Sequence, residues 1–206
     1  METQRQNKLS FTGNSLWDSN RRTVAEISTN LQPECITAYG HLFSTAPELL
    51  DCLEHEVRLA LEEHQRMMPK PTLTGYRPYS NLSTYPSLPG WVDRAVQAIA
   101  IAYDEPSMVE DADLCVAADD PNRLEDNDGR TIVRVSKELN KDVAREYVCL
   151  FLAARELLSI VEGMTNDGFQ LHNEGHNVES DHKYVIPDRL RRMSDLAAKA
   201  KGAIPL

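Results

Sequence analysis

The stretch that most constrains this chain is "KELNKDVAREYVCLFLAARELLSIVEG", Lys137 to Gly163. Val143, Tyr147, Leu150, Ala154, Leu157 and Val161 recur at helical spacing, and Val148, Phe151 and Leu158 widen the face they make. A face that broad belongs in the middle of a core, so it predicts a long central core helix over about 137–162. Ser136 or Asn140 is placed to cap its start. Gly163 suits the left-handed position that ends a helix.

The other elements arrange themselves around it. From Glu34 to Met68 the pattern is helical, with Pro33 and Pro47 as natural first-turn residues. Leu49, Leu50, Leu53, Val57 and Leu61 form its apolar stripe, and Glu48, Asp51 and Glu54 favour the helix dipole in its first turns. In "GWVDRAVQAIAIAYD", Trp91, Ala95, Ile99 and Tyr103 recur at helical spacing with Val92 and Val96 beside them, which predicts a buried helix. "VIPDRLRRMSDLAAKAKG" predicts a basic C-terminal helix that Pro187 opens and Gly202 closes.

β-structure is expected at two places. "KLSFTG" and "RTVAEIST" predict an N-terminal β-hairpin around the turn-rich "NSLWDSN". "LEDNDGRTIVRV" predicts an acidic turn entering a strand, Thr131 to Val135, and "PSMVEDADLCVAADDPN" a short acidic helix capped by Ser107. No internal repeat stands out. The fold class is therefore α+β, mainly α-helical. Residues 1–68 hold the hairpin and first helices, 69–90 a Pro/Tyr-rich loop, and 91–206 a helical core, within one compact domain.

The loop holds five prolines and three tyrosines in twenty-two residues. Proline removes amide donors and fixes φ, which opposes regular structure there. A connection that long points to a function, and Tyr76, Arg77 and Tyr79 are candidate ligand or partner contacts.

The formal net charge is −10, which argues against direct nucleic-acid binding through a basic face. The charge is polarised. Ten acidic residues and one basic lie between Asp104 and Asp128, whereas Lys183 to Gly202 carries six basic and two acidic. Glu110, Asp111, Asp113, Asp119 and Asp120 make this acidic segment a candidate partner surface, able to dock on a basic patch or imitate phosphate spacing. No run of eighteen apolar residues and no secretory h-region occurs, so no membrane span is expected. Cys35, Cys52, Cys115 and Cys149 are widely spaced, without a CxxC pair, and are expected to be reduced thiols in a cytoplasmic protein.

His172, His176 and His182 have the histidine offsets of a long zinc-protease motif. In HExxH the glutamate directly follows the first histidine, and here Asn173 stands there with Glu174 one place late. A solvated polar loop accounts for the segment, and a zinc site on the three histidines is the metal alternative. "AARELLSIVEG" resembles a zinc-peptidase helix with Arg155 and Ser159 in place of the histidines, and without metal Glu156 cannot activate water that way. Asp126, Asp128 and Gly129 match part of a calcium loop, but Leu124 and Val135 occupy ligand positions, so a turn suffices. No GxSxG, P-loop or GxGxxG motif occurs.

"ITAYGHLFSTAPELLDCLEHEV", Ile36 to Val57, resembles a module of accessory-region proteins of tailed bacteriophages. There a strand precedes an alanine-rich helix, an APELL segment and a leucine/glutamate helix. Ala46, Pro47, Glu48, Leu49, Leu50 and Leu53 carry the likeness, while Phe43, Ser44 and Thr45 replace the usual alanines. The resemblance implies a phage protein made in the cytoplasm of a bacterial host cell, and it carries over no catalytic residue. The expectation is a non-enzymatic interaction protein that binds and inhibits or regulates a host protein or protein complex, with no cofactor. Its alternatives are a metal-dependent hydrolase on the histidine cluster and a virion structural or assembly protein. The long apolar helices can bury a homodimer seam as readily as a monomer core.

Overall fold

The computed structural model describes residues 8–67, 90–102, 114–173 and 187–202. In chain order they form β1 (Ser10–Thr12), β2 (Ser15–Trp17), β3 (Thr23–Ile27), α1 (Pro33–Met67) and α2 (Gly90–Ala102). Then follow β4 (Leu114–Ala117), β5 (Asp120–Asp126), β6 (Thr131–Val135), α3 (Lys141–Asn173) and α4 (Pro187–Ala200). The strands form one antiparallel sheet in the order β1-β2-β3-β6-β5-β4. The fold is α+β and mainly helical, as the periodicities imply.

The sequence shows no obvious repeat, yet the structure is two copies of one βββαα unit. From β2 through α1, equivalent residues lie 108 positions from those of β5 through α3, as from Leu16 to Leu124. In the first unit Ser15, Leu16 and Trp17 pair with Glu26, Ala25 and Thr23, with a bulge after Leu16. In the second, Arg123, Leu124 and Glu125 pair with Arg134, Val133 and Thr131, with the same bulge after Leu124. The two meanders join edge to edge, β3 against β6, and Glu26 faces its own equivalent, Arg134. That register places a pseudo-two-fold axis at the centre of the sheet. On either side, the Ser28 amide donates to the Ile132 carbonyl at 2.8 Å and the Ser136 amide to the Val24 carbonyl at 2.7 Å.

The second turn of each meander repeats as faithfully. Asp18 Oδ1 accepts the amides of Asn20 (2.8 Å) and Arg22 (2.9 Å), and Asp126 Oδ1 accepts those of Asp128 (3.0 Å) and Arg130 (2.8 Å). A short aspartate side chain that bonds its own backbone two and four residues on closes such turns at low entropic cost. Each turn also uses a left-handed residue, Arg21 in one (φ 59°) and Gly129 in the other (φ 74°).

The long helices meet on the same axis. Phe43 of α1 and its equivalent Phe151 of α3 pack with ring centroids 4.8 Å apart. Tyr39 stacks on Phe43 at 5.5 Å and Tyr147 on Phe151 at 6.0 Å. All four rings are largely withdrawn from water, and Phe43 and Phe151 fully so. α1 lies over β1–β3 and α3 over β4–β6, while each short helix packs on both long ones. Ion pairs cross between the units in matched places: Lys199 of α4 reaches Glu48 of α1, and Arg94 of α2 reaches Glu156 of α3, each at 2.7 Å.

Several sequence expectations need correction. The N-terminal hairpin is a three-stranded meander, because "SLW" supplies a strand of its own between Gly13 (φ 70°) and the Asp18 turn. The acidic helix is not formed by Leu114 to Asp126, which are strands β4 and β5; Ser107 lies outside the described residues. Neither Pro47 nor Gly163 bounds a helix. α1 runs through Pro47 and α3 runs ten residues past Gly163, to Asn173. An interior proline costs about 3 kcal/mol and an interior glycine about 1 kcal/mol. At Pro47 the buried faces on both sides outweigh that, and beyond Gly163 α3 continues through the buried Thr165. Asn140 caps α3, its Oδ1 accepting the Asp142 amide at 2.9 Å.

Candidate interaction surfaces

Of the acidic candidates, Asp119 and Asp120 fall on the β4–β5 turn and the start of β5. Glu110, Asp111 and Asp113 lie outside the described residues, as do Tyr76, Arg77 and Tyr79. Asp119 is exposed and pairs with the Arg123 guanidinium, which also holds Glu125 at 2.9 Å. Asp120 is nearly enclosed. It accepts the Asn122 amide at 3.1 Å and faces Lys137 at 3.4 Å and Arg134 at 3.9 Å. The Asn122 hydrogen bond, helped by the two cations, holds its carboxyl below the usual aspartate range despite burial. Asp120 is thus a structural carboxylate within an ion cluster.

At the far end of β5, Asp128 is exposed and pairs with Arg130 at 2.6 Å. Asp119 and Asp128 therefore mark the two ends of a seven-residue strand, roughly 20 Å apart at the ordinary strand rise. Both carboxylates are solvent-exposed, and the Asp128–Arg130 pair, exposed on both sides, is weak enough to exchange for a partner's cation. The first meander lacks this charge. Where the second has Glu125 and Asp128, the first has Trp17 and Asn20.

The histidine segment is only partly in view. His172 falls within the helical span of α3, which corrects the loop expected after Gly163; His176 and His182 lie outside the described residues. Among the described residues no group of three His, Cys, Asp or Glu is placed to hold a metal ion. Glu156, the residue shared with the zinc-peptidase pattern, accepts two hydrogen bonds from Arg94, at 3.1 Å and 2.7 Å. None of the four cysteines is joined in a disulfide; Cys149 is buried and Cys35 and Cys115 are exposed.

One surface was not anticipated. Val57, Leu61, Val96 and Ile99 line a groove of about 430 Å³ between α1 and α2, with Glu54, Arg58 and Glu62 on its rim. Leu61 is 38% exposed and Val96 47%, although periodicity puts both with core residues. Periodicity identifies an apolar stripe but not whether another element covers it. A smaller polar recess lies at the sheet centre, lined by Asn14, Ser28, Thr29, Asn30, Glu26 and Arg134 among others.

Among the described residues, no helix is long and apolar enough to cross a membrane. Compared with known proteins, the chain matches no family model, no curated protein and no solved structure.

Proposed function

We propose that this chain is a phage-encoded, non-enzymatic interaction protein that binds and inhibits or regulates a host macromolecule through the acidic surface of its second meander. The observation that carries the reading is the unequal charge of two otherwise matching meanders. The bulged strand pairing and the Asp18/Asp126 turn are kept, but the second meander carries Asp119, Glu125 and Asp128 on its strand and turns. Glu125 and Asp119 also hold the half-buried Arg123, but neither the strand register nor the Asp126 turn requires the exposed carboxylates of Asp119 and Asp128. A carboxylate face speeds encounter with a basic partner and selects against acidic ones. The phage setting rests on the resemblance of Ile36–Val57, and "ARELL" at Ala154–Leu158 repeats "APELL" at the equivalent place.

The test begins with affinity capture from the bacterial host and continues with association kinetics on the captured protein. Asp119→Asn with Asp128→Asn is expected to slow association about threefold to tenfold at low salt and to flatten its salt dependence. An unchanged rate and salt slope would refute docking through this face.

A further inference from the structure

Four charges run along α1 beside the apolar groove at every fourth residue: Glu54, Arg58, Glu62 and Arg66. Their signs alternate, so the series reads as its own complement when reversed about Ala60. Within the chain Arg58 reaches Glu62 at 3.1 Å and Arg66 reaches Glu62 at 3.8 Å. Among the described residues no cation reaches Glu54. All three paired side chains are well exposed, the two arginines more than half so.

The second unit serves as an internal control. Glu162, the equivalent of Glu54, is held by Lys201 at 2.9 Å. The next two positions of the series are Asn166 and Gln170, so the alternation is absent. The equivalent of Val57 is Thr165, which is buried with its hydroxyl donating to the Val161 carbonyl at 2.7 Å. The open apolar groove and the alternating charges thus occur together in the first unit, and the second has neither the charges nor an apolar residue at the Val57 position.

From this coincidence we infer that the α1–α2 groove is the seam of a homodimer. In it, α1 of a second copy crosses antiparallel, centred near Ala60. Glu54 then faces Arg66 of the partner subunit, and Arg58 faces Glu62 of the partner subunit, with both contacts repeated by the two-fold. Leu61 and Val96 fill the space between the helices. An isologous interface requires one patch that complements itself, and alternating charges flanking an apolar stripe are how antiparallel helix pairs set orientation. The groove is modest, so the dimer is a micromolar one rather than an obligate one.

Sedimentation equilibrium on the full chain, from about 1 to 200 µM, tests this. The expected result is a monomer–dimer equilibrium that Val96→Glu weakens at least tenfold, with the far-UV circular dichroism unchanged. Arg58→Glu and Glu62→Arg should each weaken it, and the double variant should recover most of the loss, because the complementary series is re-formed. A monomer throughout the range overturns the inference. So does a dimer indifferent to Val96→Glu, or a double charge reversal no better than either single change.

Discussion

Asp18 and Asp126 build the same turn in the two meanders, but one is buried and the other is not. Asp18 also takes the Arg22 guanidinium at 2.8 Å, a bond with no counterpart at Asp126. The same contrast recurs over the molecule. Twelve of the thirty-five positions from Arg22 to Glu56 are identical in their equivalents, and they concentrate where the backbone or the core demands them: Thr23, Ser28, Leu31, Tyr39, Leu42, Phe43, Ala46, Leu49 and Leu50 among them. Surface positions have diverged, giving one unit an open apolar groove and the other an acidic rim. Turn and core chemistry preserve the unit, and the remaining positions are free to acquire separate surfaces.

The two halves also differ where the outer strand meets the long helix. A Cβ at Gly40 of α1 would collide with the Phe11 ring, which covers that helix. In the second unit the helix residue is Val148, and the strand residue beside Leu124 is the smaller Val116. Val148 is buried, whereas Val116 is 39% exposed.

The comparison can be broken hardest at the axis. Phe43→Ala and Phe151→Ala should each cost about 3–5 kcal/mol in urea denaturation, equally if the axis is symmetric in energy as well as geometry. Because the rings touch, the double variant should cost less than the sum of the two. Gly40→Val should cost about 2 kcal/mol through overpacking, and adding Phe11→Val, which removes the ring that the new side chain meets, should recover much of it. Failure to recover would mean that the Phe11 ring is not what opposes a side chain at position 40.

Next comes the pair of turns. Asp18→Ala should cost about 2–3 kcal/mol, since it removes buried bonds to a charged acceptor, and Asp126→Ala about 1 kcal/mol. Burial alone would raise the Asp18 pKa. The Arg22 amide and guanidinium and the Asn20 amide outweigh it and hold the carboxyl below its ordinary value of 3.8. A depressed folded-state pKa contributes stability that is present above the unfolded value and lost as pH falls through the folded one. Denaturation midpoints measured downward from pH 5 should therefore fall more steeply for the wild type than for Asp18→Asn. The smallest effect is expected at the left-handed positions. Arg21→Gly should stabilise by up to about 1 kcal/mol and Gly129→Arg should destabilise by a similar amount, because only glycine adopts that conformation without steric cost.

The sequence by itself determined the two long helices and the two short ones, the strand at Thr131–Val135 and the mainly helical class, and it narrowed the cap of α3 to Ser136 or Asn140. Each depends on neighbours within a few residues, where spacing and side-chain chemistry act directly. The duplication is legible in the sequence only when the chain is compared with itself at an offset of 108, where twelve of thirty-five positions agree; reading each segment for its own periodicity does not reveal it. Pro47 and Gly163 look like helix boundaries by local preference, and only the burial of both long helices overrode it. The exposure of Leu61 and Val96 was likewise settled in three dimensions: a helix's periodicity says which residues share a face, and only its neighbours decide whether that face meets protein or water.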